Sequence, residues 1–425
     1  MTLLLRKNFF LSAVIFVLLC ASLIITVKAD VVTWHQTYGG EWNDSVSSVV
    51  ETPDGGFVLA GTFGSADFWL IKVDAFGDVV WDNTCGGPEY TDAESLVATS
   101  DGGYALAGSI TTSMPDALLV KTDEFGNMEW NQTYGGEKVD YASSLLQTSD
   151  GGYIFAGTTE SYADQPPDAI PLPYGTTDAW LVKTDAYGNM EWNRTYGDIG
   201  DEAANSLVAT ADGGYAFAGF ISSKYDGPAL LVKTDSLGNM EWNQTFGGGI
   251  FNSLVVTSDG GYAIAGIMNN DFWLVKTDSS GNMEWNQTYG TETLEKAYSL
   301  VAASDGGYVV AGVTYSTCIQ HSPNFIEYKN ADFWLVKTDS SGNMEWNQTY
   351  GGTESDGACS LIAASDGGYV VAGTTRSFGA GGVDILLIKS DEYGVAPEAA
   401  WVVLPFLLAG TLAVFISRKK LFPKR

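Results

Sequence analysis

Residues 271–289 read Asp-Phe-Trp-Leu-Val-Lys-Thr-Asp-Ser-Ser-Gly-Asn-Met-Glu-Trp-Asn-Gln-Thr-Tyr, and residues 332–350 repeat them without a change. Three signatures of this stretch and its surroundings each occur seven times along the chain. The first is Trp-x-x-Thr, at Trp34, Trp81, Trp130, Trp192, Trp242, Trp285 and Trp346. The second is an Asp-Gly-Gly turn, at Asp54, Asp101, Asp150, Asp212, Asp259, Asp305 and Asp366. The third is Lys-x-Asp with a Gly three residues later, at Asp74, Asp123, Asp185, Asp235, Asp278, Asp339 and Asp391. A period of about 50 residues predicts a repeat architecture.

Each unit contains four short apolar runs separated by turn signals. In the second copy these runs are Ser95–Thr99, Tyr104–Gly108, Ala117–Thr122 and Met128–Tyr134. The first two flank an Asp-Gly-Gly turn, which is a strong hairpin signal because such turns need positive φ. The last run begins with alternating apolar and polar residues, as expected of a half-buried strand. Four strands in about 50 residues are typical of a propeller blade, so the fold is predicted to be an all-β, seven-bladed β-propeller of four-stranded blades.

The phase of the repeat predicts how the ring closes. The last unit ends at Gly394 without a Trp strand, and the first Trp strand, residues 31–38, has no three strands before it. These pieces complement each other. Pairing residues 31–38 with the unit at 354–394 would complete the seventh blade and cover two open sheet edges. The N-terminal strand is therefore predicted to close the last blade.

The most regular positions are predicted to be architectural. A Ser lies six residues before every Asp-Gly-Gly turn, at Ser48, Ser95, Ser144, Ser206, Ser253, Ser299 and Ser360. This position opens the innermost strand, where seven strands converge and only small side chains fit, so we interpret it as structural and not catalytic. The seven Trps are expected to fill the space between adjacent blades.

An Asp opens the third strand in six units, at Asp67, Asp116, Asp178, Asp271, Asp332 and Asp384, and Pro228 takes its place in the fourth. A turn-capping role is the expectation for these carboxylates. A Ca²⁺ ion held by such a ring is an alternative that the sequence does not assign to particular ligands. No other cofactor is predicted.

The N-terminal segment resembles a secretory signal. Arg6 and Lys7 precede an uncharged run that ends at Val27, and Ala29 follows at a position typical of signal cleavage. Residues 1–29 are therefore predicted to be a signal peptide, with an uncleaved signal anchor as the alternative.

The C-terminal segment is predicted to cross a membrane. Residues 399–417 carry no charge and are long enough to span a bilayer, and the basic residues that follow belong on the cytoplasmic side. Residues 397–425 are thus predicted to form a C-terminal transmembrane helix with a cytoplasmic tail, resembling the anchoring tails of archaeal surface proteins. Residues 30–396 would then be an extracellular propeller on the cell surface.

The composition of residues 30–396 restricts the partners. This region has 13 basic and 50 acidic residues, which gives a formal charge of about −37. Such a surface argues against nucleic acid and other anionic polymers. It is compatible with a soluble surface protein, with divalent cations or with a salty medium.

Cysteines and sequons each leave two alternatives. Cys318 and Cys359 are predicted to lie near the same face on neighbouring blades, where they would form a disulfide or remain unpaired thiols. Cys85 replaces a repeated Tyr and is expected to be buried. Glycosylation sequons occur at Asn43, Asn131, Asn193, Asn243, Asn286 and Asn347. Five of them belong to the repeated outer strand, so they reflect either strand chemistry or modification.

The sequence contains few of the residues that catalysis requires. The only histidines are His35 and His321, with no metal-ligand pair, no Cys-x-x-Cys, no nucleophile elbow and no phosphate loop. Glycoside hydrolysis needs only two carboxylates about 5–10 Å apart. Acidic residues are too abundant here for the sequence to mark one pair.

Two insertions break the repeat, at residues 158–177 and 313–331. Both join a second strand to a third, so they are expected to share a face with the loops that join consecutive blades. Ligand sites favour loops on a rigid scaffold. The predicted binding face combines aromatic rings and carboxylates: Trp42, Asp44, Tyr90, Asp92, Asp140, Tyr141, Tyr162, Tyr174, Tyr315, His321, Tyr328, Glu354 and Asp356. The alternative is a solvated loop surface.

The repeated unit at 271–289, with its Asp-Gly-Gly-Tyr and Ala-Gly signatures, resembles a propeller repeat of archaeal and bacterial secreted proteins. Its Asp278, Gly281 and Trp285 also resemble the docking motif of quinoprotein propellers. The resemblance covers residues 31–394 and implies the fold. The function predicted is a non-enzymatic binding or adhesion scaffold for an extracellular glycan, protein or matrix. The alternatives are a polysaccharide hydrolase, a quinoprotein-like oxidoreductase and a purely structural component of the cell surface.

Overall fold

The computed structural model describes residues 33–64, 67–85, 90–111, 113–163, 176–197, 200–222, 227–322 and 325–396. Within these ranges every long regular element is a β-strand, and the strands form seven four-stranded antiparallel sheets. The sheets pack side by side in a ring, so the predicted all-β, seven-bladed propeller is confirmed. The predicted transmembrane helix and signal segment fall at 397–425 and 1–29, outside the described residues. No helix that is long and apolar enough to cross a membrane occurs in the part of the chain that the structure describes.

The strands follow the order of the sequence, from the innermost to the outermost in each blade. Blade 1 comprises β2 (Ser45–Glu51), β3 (Phe57–Phe63), β4 (Asp67–Val73) and β5 (Val79–Cys85). Blade 2 comprises β6 (Tyr90–Ala98), β7 (Tyr104–Thr111), β8 (Pro115–Thr122) and β9 (Met128–Tyr134). Blade 3 comprises β10 (Asp140–Gln147), β11 (Tyr153–Thr159), β12 (Asp178–Thr184) and β13 (Met190–Tyr196). Blade 4 comprises β14 (Asp201–Ala209), β15 (Tyr215–Ser222), β16 (Pro228–Thr234) and β17 (Met240–Gly248).

The remaining blades contain the extended strands and the closure. Blade 5 comprises β18 (Ile250–Val256), β19 (Tyr262–Met268), β20 (Asp271–Thr277) and β21 (Met283–Tyr289). Blade 6 comprises β22 (Glu295–Ala302), β23 (Tyr308–Ser322), β24 (Phe325–Thr338) and β25 (Met344–Tyr350). Blade 7 comprises β26 (Asp356–Ala363), β27 (Tyr369–Thr375), β28 (Asp384–Ser390) and, as its outer strand, β1 (Trp34–Tyr38).

The closing strand lies where the repeat predicted it. Strand β1 pairs antiparallel with β28, from Trp34 opposite Lys389 to Tyr38 opposite Ile385. Blade 7 is thus built from both ends of the repeat region, and blades 1 to 6 are each continuous in sequence. The prediction of six complete blades and one composite blade is confirmed.

Repeated aromatic residues join each blade to the next. In every outer strand the Trp ring packs on the Gly of the Asp-x-x-Gly turn of the following blade, where an added Cβ would lie under 3 Å from the ring. Five of the outer-strand Tyr hydroxyls donate to the carbonyl of that same Gly, as Tyr38 does to Gly77 at 2.8 Å. Cys85, which takes the Tyr position in blade 1, is buried as predicted, and its thiol donates to the Gly126 carbonyl at 3.3 Å.

The two faces of the ring differ in character. Because the strands of a blade alternate in direction, the loops between second and third strands lie at the same end as the loops between blades. We call this end the loop face. Backbone hydrogen bonds connect its two loop types, for example from Glu160 N–H to the Val139 carbonyl at 2.8 Å. The opposite end, here the turn face, carries the tight Asp-Gly-Gly and Asp-x-x-Gly turns.

The insertion in the sixth unit is a continuation of the sheet and not an irregular loop. Strands β23 and β24 stay paired beyond the blade as far as Ser322 opposite Phe325. Its residues include many β-branched and aromatic side chains, which favour strands. The hairpin therefore projects from the loop face.

Candidate functional site

The innermost strand of every blade contains one bulged residue near the loop face. In each blade the register shifts by one residue just before the repeated Ser, for example between Ala93 and Ser95 in blade 2. A bulge places an extra residue outside the ladder and re-aims its side chain. The bulged residues, here called the channel ring, are Ser47, Glu94, Ser143, Asn205, Asn252, Tyr298 and Cys359.

Electrostatics and hydrogen bonds show that the channel ring faces the central channel. Glu94 of blade 2 acts electrostatically on Cys359 of blade 7, two blades away around the ring. The amide of Asn205 donates to the Phe251 carbonyl at 2.9 Å, and the amide of Asn252 donates to the Ala297 carbonyl at 2.8 Å. The channel ring is therefore one polar girdle assembled from all seven blades.

Glu94 is the carboxylic acid of this girdle. Its side chain is open to the channel and yet surrounded by protein, and this burial, with the charge of Asp92, raises the pKa of Glu94 to about 7. Burial and the charge of Glu94 raise the pKa of the Cys359 thiol to about 11. Burial raises the pKa of the Tyr298 hydroxyl to about 12. At pH 7 Glu94 is therefore about half ionised and at pH 8 mostly ionised, whereas the Cys359 thiol and the Tyr298 phenol are neutral at both pH values.

The repeated serines lie next to the channel ring and have a structural role. In six blades the Ser hydroxyl accepts a hydrogen bond from a backbone N–H of the next innermost strand, at 3.0–3.3 Å. Each bond connects two neighbouring blades. The prediction that these serines are architectural is confirmed, with the added finding that they act through hydrogen bonds as well as small size.

The predicted binding-face residues divide by exposure. The exposed aromatic residues are Trp42, Tyr90, Tyr141 and Tyr162. Glu354 is also exposed, and Asp92 and Tyr315 are half-buried. Tyr174 lies outside the described residues, and the side chains of His321 and Tyr328 lie outside the described side chains. The exposed rings occupy loop-face positions around the channel, on blades 1 to 3.

Three of the predicted acids are buried and organise the loops. Asp44, Asp140 and Asp356 are at most 2% exposed. Asp140, for example, accepts hydrogen bonds from Gly136 N–H at 3.0 Å and from the Ser161 hydroxyl at 2.6 Å. These carboxylates hold the loops that carry the exposed residues, and they do not themselves lie on the surface.

Each of these acids, or a Glu in its place, lies beside the third-strand Asp of the preceding blade. The five pairs are Asp384 with Asp44, Asp116 with Asp140, Asp178 with Glu202, Asp271 with Glu295, and Asp332 with Asp356. A Cβ added to the neighbouring glycine would lie under 3 Å from an oxygen of both members. No group of three or more His, Cys, Asp or Glu side chains suited to a metal occurs among the described residues. Ca²⁺ binding therefore stays an unassigned prediction.

The pair at the interface of blades 6 and 7 makes stability depend on pH. Burial and the charge of Asp356 raise the pKa of Asp332 from 3.8 to about 6. A raised carboxyl pKa favours folding below the unfolded-state value, and that contribution is lost as the pH rises through 6. Asp332→Asn should therefore stabilise the protein by about 1–2 kcal/mol at pH 8 and by less at pH 5, measured as thermal midpoints.

Asp384→Asn is the matched control for this prediction. Asp384 holds the same repeat position but accepts a hydrogen bond from Ala380 N–H at 2.9 Å. Its substitution should weaken folding at both pH values. A lower midpoint for Asp332→Asn at pH 8 would contradict the proposed repulsion.

The structure bears on the two alternatives left open for the cysteines. Cys359 is a free thiol, as in the unpaired alternative. Cys359 lies inside the channel in blade 7, whereas Cys318 lies opposite Tyr328 in the hairpin that projects from blade 6. Cys318 is three residues beyond Tyr315 along this hairpin, which at about 3.3 Å per residue carries it away from the channel.

The sequons lie on accessible strands. The five repeated Asn residues are on outermost strands, where four are exposed and Asn193 is half-buried. Asn43 is exposed, and its side-chain oxygen accepts a hydrogen bond from Val383 N–H. Glycosylation stays a prediction.

Comparison with known proteins supports the fold. No protein-family model matches the chain, and no curated protein matches it in sequence. The WD40 repeats of RRP9 superpose with a TM-score of 0.54 at 13% identity, over 84% of this chain and 97% of that one. U3-55K gives 0.54 at 12% identity, over 84% and 98%. Chaetomium thermophilum Sqt1, bound to the N-terminus of ribosomal protein L10, gives 0.48 at 11% identity, over 83% and 98%. At such identities the similarity shows a β-propeller and nothing finer.

Proposed function

We propose that this protein is a non-enzymatic, cell-surface propeller that binds an extracellular protein on its loop face, at the mouth of the central channel. The observation that carries the proposal is the channel ring. Seven structurally equivalent positions hold five different residue types there, whereas the neighbouring Ser positions hold one type throughout. Residues that hold the blades together must be the same in every blade, whereas residues that contact a ligand need not be. Invariant packing positions beside variable surface positions are therefore expected of a binding protein.

The chemistry of the channel mouth favours a basic segment of the partner. Glu94 supplies a negative charge, and Tyr298 and the exposed Tyr141 supply aromatic rings on the same face. Acids and aromatic faces together suit Lys or Arg side chains. The large negative charge of the propeller would attract such a partner over a longer range.

A glycan ligand is the second candidate. Trp42 is 71% exposed in a loop on the loop face, and Tyr162 is exposed within the insertion of the third unit. Flat aromatic rings on a solvated surface suit the apolar faces of sugars.

The cell-surface location is part of the proposal because residues 1–29 resemble a secretory signal and residues 399–417 form an uncharged stretch long enough to cross a bilayer, followed by basic residues.

A combined peptide and glycan array tests the proposal with the full-length chain. We expect capture of peptides rich in Lys or Arg, with an affinity that rises between pH 6 and pH 8 because the pKa of Glu94 is about 7. Glu94→Gln should reduce the affinity about tenfold at pH 8 and remove the pH dependence.

Glu124→Gln is the control, because Glu124 is an exposed acid on the turn face. It should leave capture unchanged. Capture of glycans alone would favour the second candidate. Capture that is insensitive both to Glu94→Gln and to deletion of the insertion at 158–177 would refute the loop-face site.

A further inference from the structure

One blade interface lacks the large side chain that fills the other six. Two positions of the third strand meet at each interface. The first residue after the strand's opening residue, such as Phe68 after Asp67 in blade 1, packs against the next blade. In that blade it shares a core cluster with the second residue after the opening residue, such as Leu118 after Asp116 in blade 2. These pairs are Ile385 with Trp69, Phe68 with Leu118, Ala117 with Trp180, Ala179 with Leu230, Ala229 with Trp273, Phe272 with Trp334, and Phe333 with Leu386. Six pairs contain at least one aromatic ring. The pair between blades 3 and 4, Ala179 with Leu230, contains none.

A cavity of about 550 Å³ lies at this same interface. Its wall includes the apolar side chains of Ile221, Leu230 and Val232 and the ring of Tyr196. Tyr196 is half-buried. We call this space the blade 3–4 cavity. Its size lies within the range of about 300–1,000 Å³ that small-molecule sites occupy.

The cavity occupies the place of a missing indole ring. In blades 5 and 6 the third-strand Trp donates its indole N–H to the Asn of the adjacent outer strand, as Trp273 does to Asn286 at 3.4 Å. Asn243 is the equivalent residue in blade 4, and it lines the cavity. Leu230 stands where that Trp would be. In blades 5 and 6 the equivalent surfaces enclose an indole ring. The cavity in blade 4 is therefore bounded by surfaces that can accommodate an aromatic ring.

A positive charge stands at the same cavity. Arg194 replaces the Gln that five of the seven units have two residues after the outer-strand Trp, and it lines the cavity. Its guanidinium lies 5.7 Å from the centre of the Trp192 ring. One N–H group donates to the Asn193 carbonyl at 2.8 Å. Arg presents five donors in a planar fork that matches a carboxylate, so one such bond leaves further donors to a ligand.

We propose that the blade 3–4 cavity binds a small amphipathic carboxylate, with its apolar or aromatic body in the place of the missing indole and its carboxylate on Arg194. Glu202, which also lines the cavity, lies at the loop-face end beside Asp178. The negative charge of Glu202 repels the carboxylate of the ligand, so the carboxylate points away from the loop-face end and toward Arg194. This site is separate from the channel mouth and does not depend on the function proposed for it.

Ligand-observed fluorine NMR on the full-length chain tests the site, with 4-(trifluoromethyl)phenylacetate as the probe and its uncharged amide as the partner compound. We expect saturable line broadening by the acid, with about tenfold weaker binding of the amide. Arg194→Gln introduces the Gln that five of the seven units have at this position. This substitution should lower the affinity for the acid to the affinity for the amide.

Two filling variants complete the test, and each creates a pair that already exists elsewhere in this chain. Leu230→Trp reproduces the Ala117–Trp180 pair, and Ala179→Phe reproduces the Phe68–Leu118 pair. Both should abolish binding of acid and amide and raise the thermal midpoint. Glu124→Gln, at an exposed acid on the turn face of blade 2, should leave binding unchanged. The proposal is overturned if the wild-type protein shows no saturable broadening, or if both folded filling variants bind the acid as the wild type does.

Discussion

Deletion of residues 33–38, which removes β1, is expected to abolish cooperative folding of the propeller. This strand completes blade 7 through five opposed residue pairs with β28. Without it, β28 becomes an unpaired edge with a row of free backbone groups, and such edges lead to aggregation. The deletion also removes Trp34 and Tyr38, both 8% exposed in the cluster that joins blade 7 to blade 1.

The closing strand connects blades as well as completing a sheet. The Trp34 indole donates to the Ala75 carbonyl at 2.8 Å, and the Tyr38 hydroxyl donates to the Gly77 carbonyl at 2.8 Å. Both acceptors belong to the turn between β4 and β5 of blade 1. Loss of these bonds opens the ring at its only composite blade, so the remaining interfaces lose the constraint of closure.

A rearranged chain provides the control. The other outer strands follow directly after their Asp-x-x-Gly turn, and in blade 7 this turn is Asp391–Gly394. Inserting a copy of residues 33–39 after Ala396 in the deletion variant should restore a continuous blade 7 and recover folding. Size-exclusion chromatography and thermal unfolding would measure both. A deletion variant that stays monomeric with an unchanged midpoint would show that β1 is dispensable.

Two substitutions compare the outer strand of the composite blade 7 with the outer strand of a blade that is continuous in sequence. Trp34→Ala and Trp242→Ala remove the same indole-on-glycine contact, at Gly77 and Gly281. Trp34→Ala should cost about 3–5 kcal/mol because Trp34 is buried, and Trp242→Ala should cost less because Trp242 is half-buried. Trp34→Ala should lower the thermal midpoint further, because β1 reaches blade 7 only by ring closure and unfolds locally more easily.

The repeat was sufficient to predict the architecture because each blade makes the same packing demands. Seven copies of Trp, Ser and Asp-Gly-Gly fixed the number of blades, and the phase of the Trp strand predicted the closure by β1. The burial of Cys85 was predicted for the same reason, since it replaces a Tyr that packs between blades. All of these inferences need only comparison of one unit with another.

The candidate sites depended on information that a single unit does not contain. The channel ring arises from a bulge where seven strands converge. Its only signal in the sequence is that the residue before the repeated Ser differs from unit to unit, as at Cys359. The acids Asp44, Asp140 and Asp356 looked like surface carboxylates, although loop hydrogen bonds bury them. The blade 3–4 cavity could be recognised only by pairing Ala179 of one unit with Leu230 of the next, which requires the register between blades.

Asp54→Asn is expected to destabilise the protein more than the equivalent substitution Asp259→Asn. Every third strand contains a Lys that is 3–6% exposed and that pairs with the Asp of the Asp-Gly-Gly turn. In blades 2 to 6 a Glu of the outer strand is a second partner, as Glu284 is for Lys276 at 2.8 Å. In blade 1 Val80 holds the Glu position, so Asp54 is the acid that pairs with Lys72.

The size of the difference follows from what remains after each substitution. Asp259→Asn leaves Lys276 with Glu284, and should cost about 1 kcal/mol. Asp54→Asn leaves a buried ammonium group with Thr52 and no carboxylate, and should cost about 3 kcal/mol, since an uncompensated buried charge is strongly unfavourable. The two acids have similar exposure, 66% and 58% of the side chain, so exposure does not explain a difference.

Denaturant midpoints of the two variants at pH 7 measure this difference. The bond from Lys72 lowers the pKa of Asp54 to about 2, so the contribution of Asp54 to stability is present above pH 3.8 and is lost as the pH falls through 2. Adding Lys72→Met to Asp54→Asn should recover most of the stability, because it replaces the stranded charge by an apolar chain of similar length. Equal losses for Asp54→Asn and Asp259→Asn would show that the Glu of the outer strand does not compensate, and that these buried lysines depend on the turn Asp alone.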